Sequence, residues 1–375
     1  MFNQFINNQN IMKTYQLILA AALIALTACN KNNVENNLNA ESNEIGFNAV
    51  ASMNTKANNA IVSGTTYADD NSFKVWGWQS QGGAFAEFAD NAASNFMSNL
   101  TISYNDGYDH ARANAWRNAE NYYYWPFTGK ISFLAVHPST VAPTSATWDA
   151  TYKKPQARFT GYTITPGSNE TVDLMVATNE GSRRSDALPI VFKHALSQIV
   201  VKVKTNEDYT HDVKFDVNSV QFNKIDLSGD ATYLNDAISW GNNTTQEQNW
   251  MYYNTTKENV NNTAAIYGAA KVMIPQPANA DDPDTDDVLE GTTLTISYTM
   301  TQHSSAAITG TVIVASPWKK VKEGDTDYAP AVAITGWEPG KKYNYTLNFK
   351  LNEILFNPSV TDWVDVDLQT VNILD

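Results

Sequence analysis

Cys29 carries the single thiol in 375 residues, and it closes the run Leu26-Thr27-Ala28-Cys29. With no second cysteine it makes no intrachain disulfide, and its place behind a short apolar stretch points to covalent attachment of lipid at sulfur. The five histidines, His110, His137, His194, His211 and His303, stand singly. None has the H-x-x-H or H-E-x-x-H spacing that sets two imidazoles on one metal, so no zinc site is expected. A G-x-S-x-G nucleophile elbow and a phosphate-cradling glycine loop are missing as well, and an acylated Cys29 leaves no thiol for catalysis. His194 shares one face of its segment with Phe192 and Leu196, which reads as a hydrogen-bonded strand residue rather than a base.

Two further clusters invite a chemical reading. Asp281-Asp282-Pro283-Asp284-Thr285-Asp286-Asp287 offers D-x-D-x-D spacing from Asp282. Where a calcium loop needs glycine stands Asp287, and where it needs a bidentate glutamate stands Thr293, so the run reads as a solvated acidic loop. The aromatic runs Tyr122-Tyr123-Tyr124-Trp125 and Trp250-Met251-Tyr252-Tyr253 are able to stack on sugar rings or to pack a core. No catalytic residue, metal or cofactor is expected, and the chain is not read as an enzyme.

The elements that position Cys29 read as an export signal. From Met12, the expected working start, Lys13 supplies the positive region and Leu17 to Leu26 an apolar stretch of about ten residues. That is too short for a bilayer, which takes about 20 apolar residues. Residues 1–28 are therefore expected to be a signal peptide, cut between Ala28 and Cys29. Leu26-Thr27-Ala28-Cys29 resembles the lipobox of bacterial lipoproteins, whose cysteine takes diacylglycerol and, after cleavage, an acylated amine; two or more chains make a stable anchor. Residues 29–43 are Asn-rich and poor in apolar side chains, and are expected to be a flexible tether. Without Lys13 the remaining chain holds 24 basic against 39 acidic residues, a net charge of −15. Nucleic acid is thereby disfavoured as a partner, and so are anionic headgroups.

Beyond the tether the apolar residues recur with period two. Ile45, Phe47, Ala49, Ala51 and Met53 predict a first strand, Phe73–Trp78 a second, Ile131–Val136 another and Val172–Val176 one more. Only residues 84–97 and 111–121 have the composition of short helices. In Ile190–Val203 the apolar phase changes, which predicts a bulge or a change of sheet near Ala195–Gln198. The polar run Asn179–Asp186 is the expected join between an N-terminal unit, 44–186, and a C-terminal unit, 187–375. Strand patterns then resume through Val213–Val217, Val220–Leu227, Leu294–Met300, Ile308–Ala315, Tyr343–Leu351 and Trp363–Leu368. The fold class is all-β, with sandwiches favoured.

Phe73-Lys74-Val75-Trp76, Trp125-Pro126, Ile131-Ser132-Phe133-Leu134-Ala135-Val136-His137-Pro138, Asp173-Leu174-Met175-Val176-Ala177, Phe192-Lys193-His194-Ala195-Leu196-Ser197, Met273-Ile274-Pro275-Gln276 and Trp337-Glu338-Pro339-Gly340-Lys341-Lys342-Tyr343 occur in that order. Together with the lipobox they resemble the fimbrillin family of Bacteroidales. The resemblance implies two tandem transthyretin-like β-sandwiches, export as an outer-membrane lipoprotein, and assembly with other subunits into adhesive surface fimbriae by donor-strand exchange. It implies that a protease removes the lipidated segment with the first strand, here Ile45, Phe47, Ala49, Ala51 and Met53. The implied donor is the tail, with Val364, Val366, Leu368, Val371 and Ile373. Relatives are cut after arginine, whereas the one basic residue just behind this first strand is Lys56. The residues after Cys29 also lack the acidic cluster that often accompanies surface display. The alternative is a surface lipoprotein that binds glycans through exposed aromatics.

Overall fold

A computed structural model describes residues 43–51, 67, 71–80, 93–105, 115–164, 172–207, 213–277, 292–303, 305–315, 336–350 and 354–362. Every regular element among them is a β-strand. The chain first forms β1 (Phe47–Ala51), β2 (Ser72–Ser80), β3 (Ala93–Asn105), β4 (Ala115–Arg117) and β5 (Lys130–His137). The hairpin β6 (Ser145–Asp149) and β7 (Lys154–Thr163) follows, then β8 (Met175–Ser182) and β9 (Leu188–His194). Next come β10 (Ser197–Thr205), β11 (Val213–Leu234), β12 (Ala237–Tyr253), β13 (Lys257–Val260), β14 (Ala265–Ile266) and β15 (Lys271–Met273). The last six are β16 (Gln276–Pro277), β17 (Thr293–Gln302), β18 (Ile308–Ala315), β19 (Gly336–Trp337), β20 (Lys341–Phe349) and β21 (Ile354–Asp362). Of the two stretches expected as helices, residues 93–97 lie in β3 and 115–117 form β4, while 118–121 follow without regular structure. Neither carries an apolar stripe of helical period, and pairing with a neighbouring strand satisfies the backbone instead.

Seven strands in the order β1-β4-β3-β2-β5-β8-β9 close into a barrel. Closure rests on β1, which pairs antiparallel with β4 at Phe47 and Trp116, and parallel with β9 from Phe47 opposite Leu188 to Ala51 opposite Phe192. Alternation aims Phe73 and Val75 of β2, Ile131, Phe133 and Ala135 of β5, and Ile190 and Phe192 of β9 into one core. The other faces of β2 and β5 are also apolar: Trp76, Trp78, Leu134 and Val136 belong to a second core. A strand buried on both faces reads as an apolar run, which is why residues 133–136 are apolar without a break.

The second core lies between two layers, β18-β17-β11-β7-β6 and β14-β10-β20-β21. Val213, Phe215, Val217, Val220 and Phe222 of β11 meet Ile199, Val201 and Val203 of β10 and Tyr343, Tyr345, Leu347 and Phe349 of β20. The change of phase at Ala195–Gln198 is a change of sheet: β9 runs in the barrel, while β10 pairs parallel with β20. The chain thus leaves the barrel sheet at Ala195 and Leu196, after β9 has supplied the parallel partner of β1. Pairing also takes β6 and β7 out of the barrel, for β7 lies antiparallel to residues 228–233 of β11.

β11 turns into β12 at Asn235 and Asp236, both at positive φ, 51° and 62°, as a two-residue primed hairpin turn requires. Asp236 pins this tip to the barrel, accepting from Thr178 Oγ1 at 2.9 Å while its carbonyl accepts from Lys193 Nζ at 2.9 Å, and to the neighbouring β7, accepting from Lys154 Nζ at 2.7 Å. Burial works against the Asp236 carboxylate, but the Lys154 and Thr178 donors outweigh it and its pKa is lowered.

Candidate functional site: the strand that closes the barrel

The alternation that starts at Ile45 lays one face of residues 45–49 in the barrel core. Ile45, Phe47 and Ala49 are buried, while Asn48 between them is exposed. Phe47 meets Phe133 edge-on with ring centres 5.2 Å apart, and Phe73 at 6.1 Å. Backbone bonds hold the segment on both sides: Ile45 N donates to Tyr123 O at 2.7 Å, Trp125 N to Asn43 O at 2.7 Å, and Leu188 N to Gly46 O at 2.8 Å. Ahead of β1, Glu44 Oε2 accepts from Arg117 Nη1 at 3.1 Å, with 4% and 2% of the two side chains exposed.

Of the residues expected to act in strand exchange, Ile45, Phe47 and Ala49 therefore line one groove, and Ala51 ends β1. Ala28, Cys29, Met53, Lys56, Val364, Val366, Leu368, Val371 and Ile373 lie outside the described residues, as do His110, His211 and the acidic run 281–287. The strand before the tail, β21, pairs with β20 at the border of its sheet. Glu44 and Arg117 are functional candidates that sequence reasoning misses. Glu44 stands at the head of the first apolar alternation, which is a usable signal; Arg117 sits in a stretch whose composition resembles helix.

Two histidines meet polar partners inside the barrel. The Tyr67 hydroxyl lies 2.6 Å from His137 Nδ1 and 3.1 Å from the Ser72 carbonyl, and His194 Nδ1 lies 2.9 Å from Asp173 Oδ2. Burial pushes His137 down to about 4, against the opposing pull of Asp173, and burial pushes the Tyr67 hydroxyl far above its ordinary value. A histidine and a carboxylate within hydrogen-bond reach are a starting point for general base chemistry, but the His194 and Asp173 side chains are only 2% and 1% exposed. This geometry serves cohesion of the barrel, since a catalytic pair must reach a substrate. Among the described residues no group of three or more His, Cys, Asp or Glu is placed to hold a metal ion.

The aromatic runs divide. Trp250 and Tyr252 are core residues, and the Tyr252 hydroxyl donates to Ala269 O at 2.7 Å while accepting from Val201 N at 3.2 Å. Trp125 is buried against Phe133. Tyr122 and Tyr124 are about half exposed and nearly parallel, centres 6.5 Å apart, and Phe127 is exposed beneath the Arg183 guanidinium.

Fold and site together define an all-β protein whose N-terminal strand completes a core built by later strands. The chain belongs to the fimbrillin-like family, whose model matches residues 55–363. Its β1 precedes the matched region. No curated protein matches the sequence. Among solved structures, a fimbrial protein from Bacteroides vulgatus is similar, with TM-score 0.55 and 17% identity over 86% of this chain and 99% of that one. The tip fimbrial protein Mfa3 from Porphyromonas gingivalis, truncated at its C-terminus, aligns with TM-score 0.32 and 9% identity over 79% of this chain and 95% of that one.

Proposed function

We propose that this chain is a subunit of cell-surface fimbriae, exported as an outer-membrane lipoprotein on Cys29 and assembled by exchanging its first strand for a strand of a neighbouring subunit. The observation that carries the reading is the closure of the barrel by β1. Without it, β9 loses its parallel partner and the groove around Phe73 and Phe133 loses Ile45, Phe47 and Ala49. A vacated groove exposes apolar surface and unpaired backbone, and an incoming strand restores both. At ~25 cal/mol per Å2 the three anchors contribute several kcal/mol, which makes filling the groove strongly favourable. Family membership supports the same role.

In this reading the units 44–186 and 187–375 are tandem transthyretin-like sandwiches, and β1 pairs with β4 of the first and with β9 at the start of the second. Processing falls behind Met53, where Lys56 is the basic residue at hand, and Cys29 is an export handle lost on cleavage. The donor is the tail carrying Val364, Val366, Leu368, Val371 and Ile373. Because Leu368 and Val371 differ in phase, it enters with one irregular step.

N-terminal sequencing and mass measurement of protein recovered from sheared surface fibres test this. A chain beginning near Ala57 within heat-resistant multimers is the expected result. Recovery solely as full-length lipidated chain in the envelope would overturn it. A second reading, glycan binding at the surface, draws support from the exposed, nearly parallel rings of Tyr122 and Tyr124; burial of Tyr252 removes the other aromatic run from it.

A further inference from the structure

We infer that Arg117 is the specificity-determining residue of the barrel groove: it accepts as occupant a strand that brings a carboxylate to the position of Glu44. The inference rests on the strand-exchange reading and adds what that reading leaves open, namely how the groove tells one extended strand from another. Apolar anchors alone discriminate poorly, because Ile45, Phe47 and Ala49 have counterparts in almost any alternating strand.

Arg117 sits on β4, the antiparallel neighbour of β1, with 2% of its side chain exposed. One of its nitrogens, Nη1, reaches Glu44 Oε2. Its Nε and Nη2 are buried and, among the described residues, have no hydrogen-bond partner. Two other buried donors near the segment share that condition: the indole nitrogen of Trp116, opposite Phe47, and that of Trp125, whose backbone holds Asn43. Around the segment, four buried donor nitrogens thus stand without an acceptor among the described residues. A buried guanidinium left without its anion is costly, and much more so than one that was never paired in water. Cleavage behind Met53 would carry Glu44 away with the strand and leave Arg117 in that state. An uncharged occupant would fill the apolar sites and leave the cation bare; an acidic one satisfies both.

The occupant is the tail, residues 363–375, of a second copy. Segment 43–51 spans about 30 Å at ~3.3 Å per residue, and the tail is long enough to cover it. Running in the direction of β1, Val366 at the place of Ile45 and Leu368 at that of Phe47 bring Asp365 to the place of Glu44. Asp367 then falls at Gly46, a buried position with no side chain, so it opposes binding in this register and serves as an internal control.

The test uses the full chain carrying a specific protease site between Thr55 and Asn58. After nicking, the first strand stays in its groove without a covalent tie. Synthetic peptides of residues 363–375 are added and release of the N-terminal fragment is measured. The tail peptide should displace it, Asp365→Asn should weaken displacement about a hundredfold, and Asp367→Gly should strengthen it. In the nicked Arg117→Met chain the Asp365→Asn and unmodified peptides should perform alike. Equal potency of those two peptides on the nicked chain with Arg117 intact would overturn the role of Arg117 and leave strand exchange standing. If the tail peptide is inert while a peptide of residues 43–54 exchanges in a Glu44-dependent way, Arg117 keeps its role and the tail loses its own. Failure of both peptides refutes exchange at this groove altogether.

Discussion

Replacing Phe47 by alanine tests the central physical claim, that β1 is held by one large anchor in a rigid socket. The side chain is 1% exposed, and its transfer from water alone is worth about 1.5–3 kcal/mol. Two of its neighbours, Phe73 and Phe133, are fully buried and stand on β2 and β5, which pair with each other in the barrel wall. They have little room to collapse into the space left behind, so the cavity cost adds nearly in full. The total should lie near 4 kcal/mol, within the range of about 3–5 for buried phenylalanine. Part of it is the loss of two edge-on ring contacts, about 0.5–1.5 kcal/mol each. Four kcal/mol is about a thousandfold in the population with β1 detached. Hydrogen exchange of the β1 amides reads that opening directly, and urea unfolding reads the share that reaches the whole barrel. Ile308→Ala, at a 60% exposed position, is the control and should stay within about 0.5 kcal/mol. A loss below about 1 kcal/mol for Phe47→Ala, with β1 amides as protected as before, would refute the socket.

Burial keeps His137 neutral down to about pH 4 when folded, whereas the unfolded chain takes up a proton near 6.5. Its contribution is complete above about pH 6.5 and is lost as pH falls towards 4, by up to about 1.4 kcal/mol per pH unit and about 3 kcal/mol in all; urea midpoints of His137→Gln should lack this acid-side slope, and an unchanged slope counts against it. Gly181→Ala would set a Cβ 2.7 Å from Trp125 Cη2 and 3.0 Å from Leu188 Cδ1. It should cost about 1–3 kcal/mol in thermal or urea unfolding and shift the Trp125 emission, and a neutral result would mean that β8 and β9 yield there. Tyr252→Phe removes the partner of Val201 N and Ala269 O and should cost about 1–3 kcal/mol by the same measurements. Replacing both Tyr122 and Tyr124 by alanine should leave stability within about 0.5 kcal/mol, and on glycan arrays it should abolish binding if the second reading holds.

Residues that alternate on one strand are legible in the sequence. Ile45, Phe47 and Ala49, or Phe73 and Val75, declare a buried face by spacing alone, and the even-to-odd switch after Phe192 marks the sheet change at Ala195 and Leu196. Residues 93–99 are harder, because small and polar side chains carry no strong period; pairing with β2 makes them strand. The same holds for Arg117, which gains its meaning from Glu44, 73 positions away along the chain.

The sequence by itself determined the all-β class, the placement of most strands and the family likeness, because side-chain alternation and short motifs are local properties. Which strands become neighbours was decided by the tertiary structure. No local pattern shows that β1 and β9 run parallel and shut a barrel, that the β6–β7 hairpin joins β11, or that His194 lies against Asp173. Those outcomes depend on backbone bonds and buried surface shared between distant segments, and such pairings exist only once the chain has closed on itself.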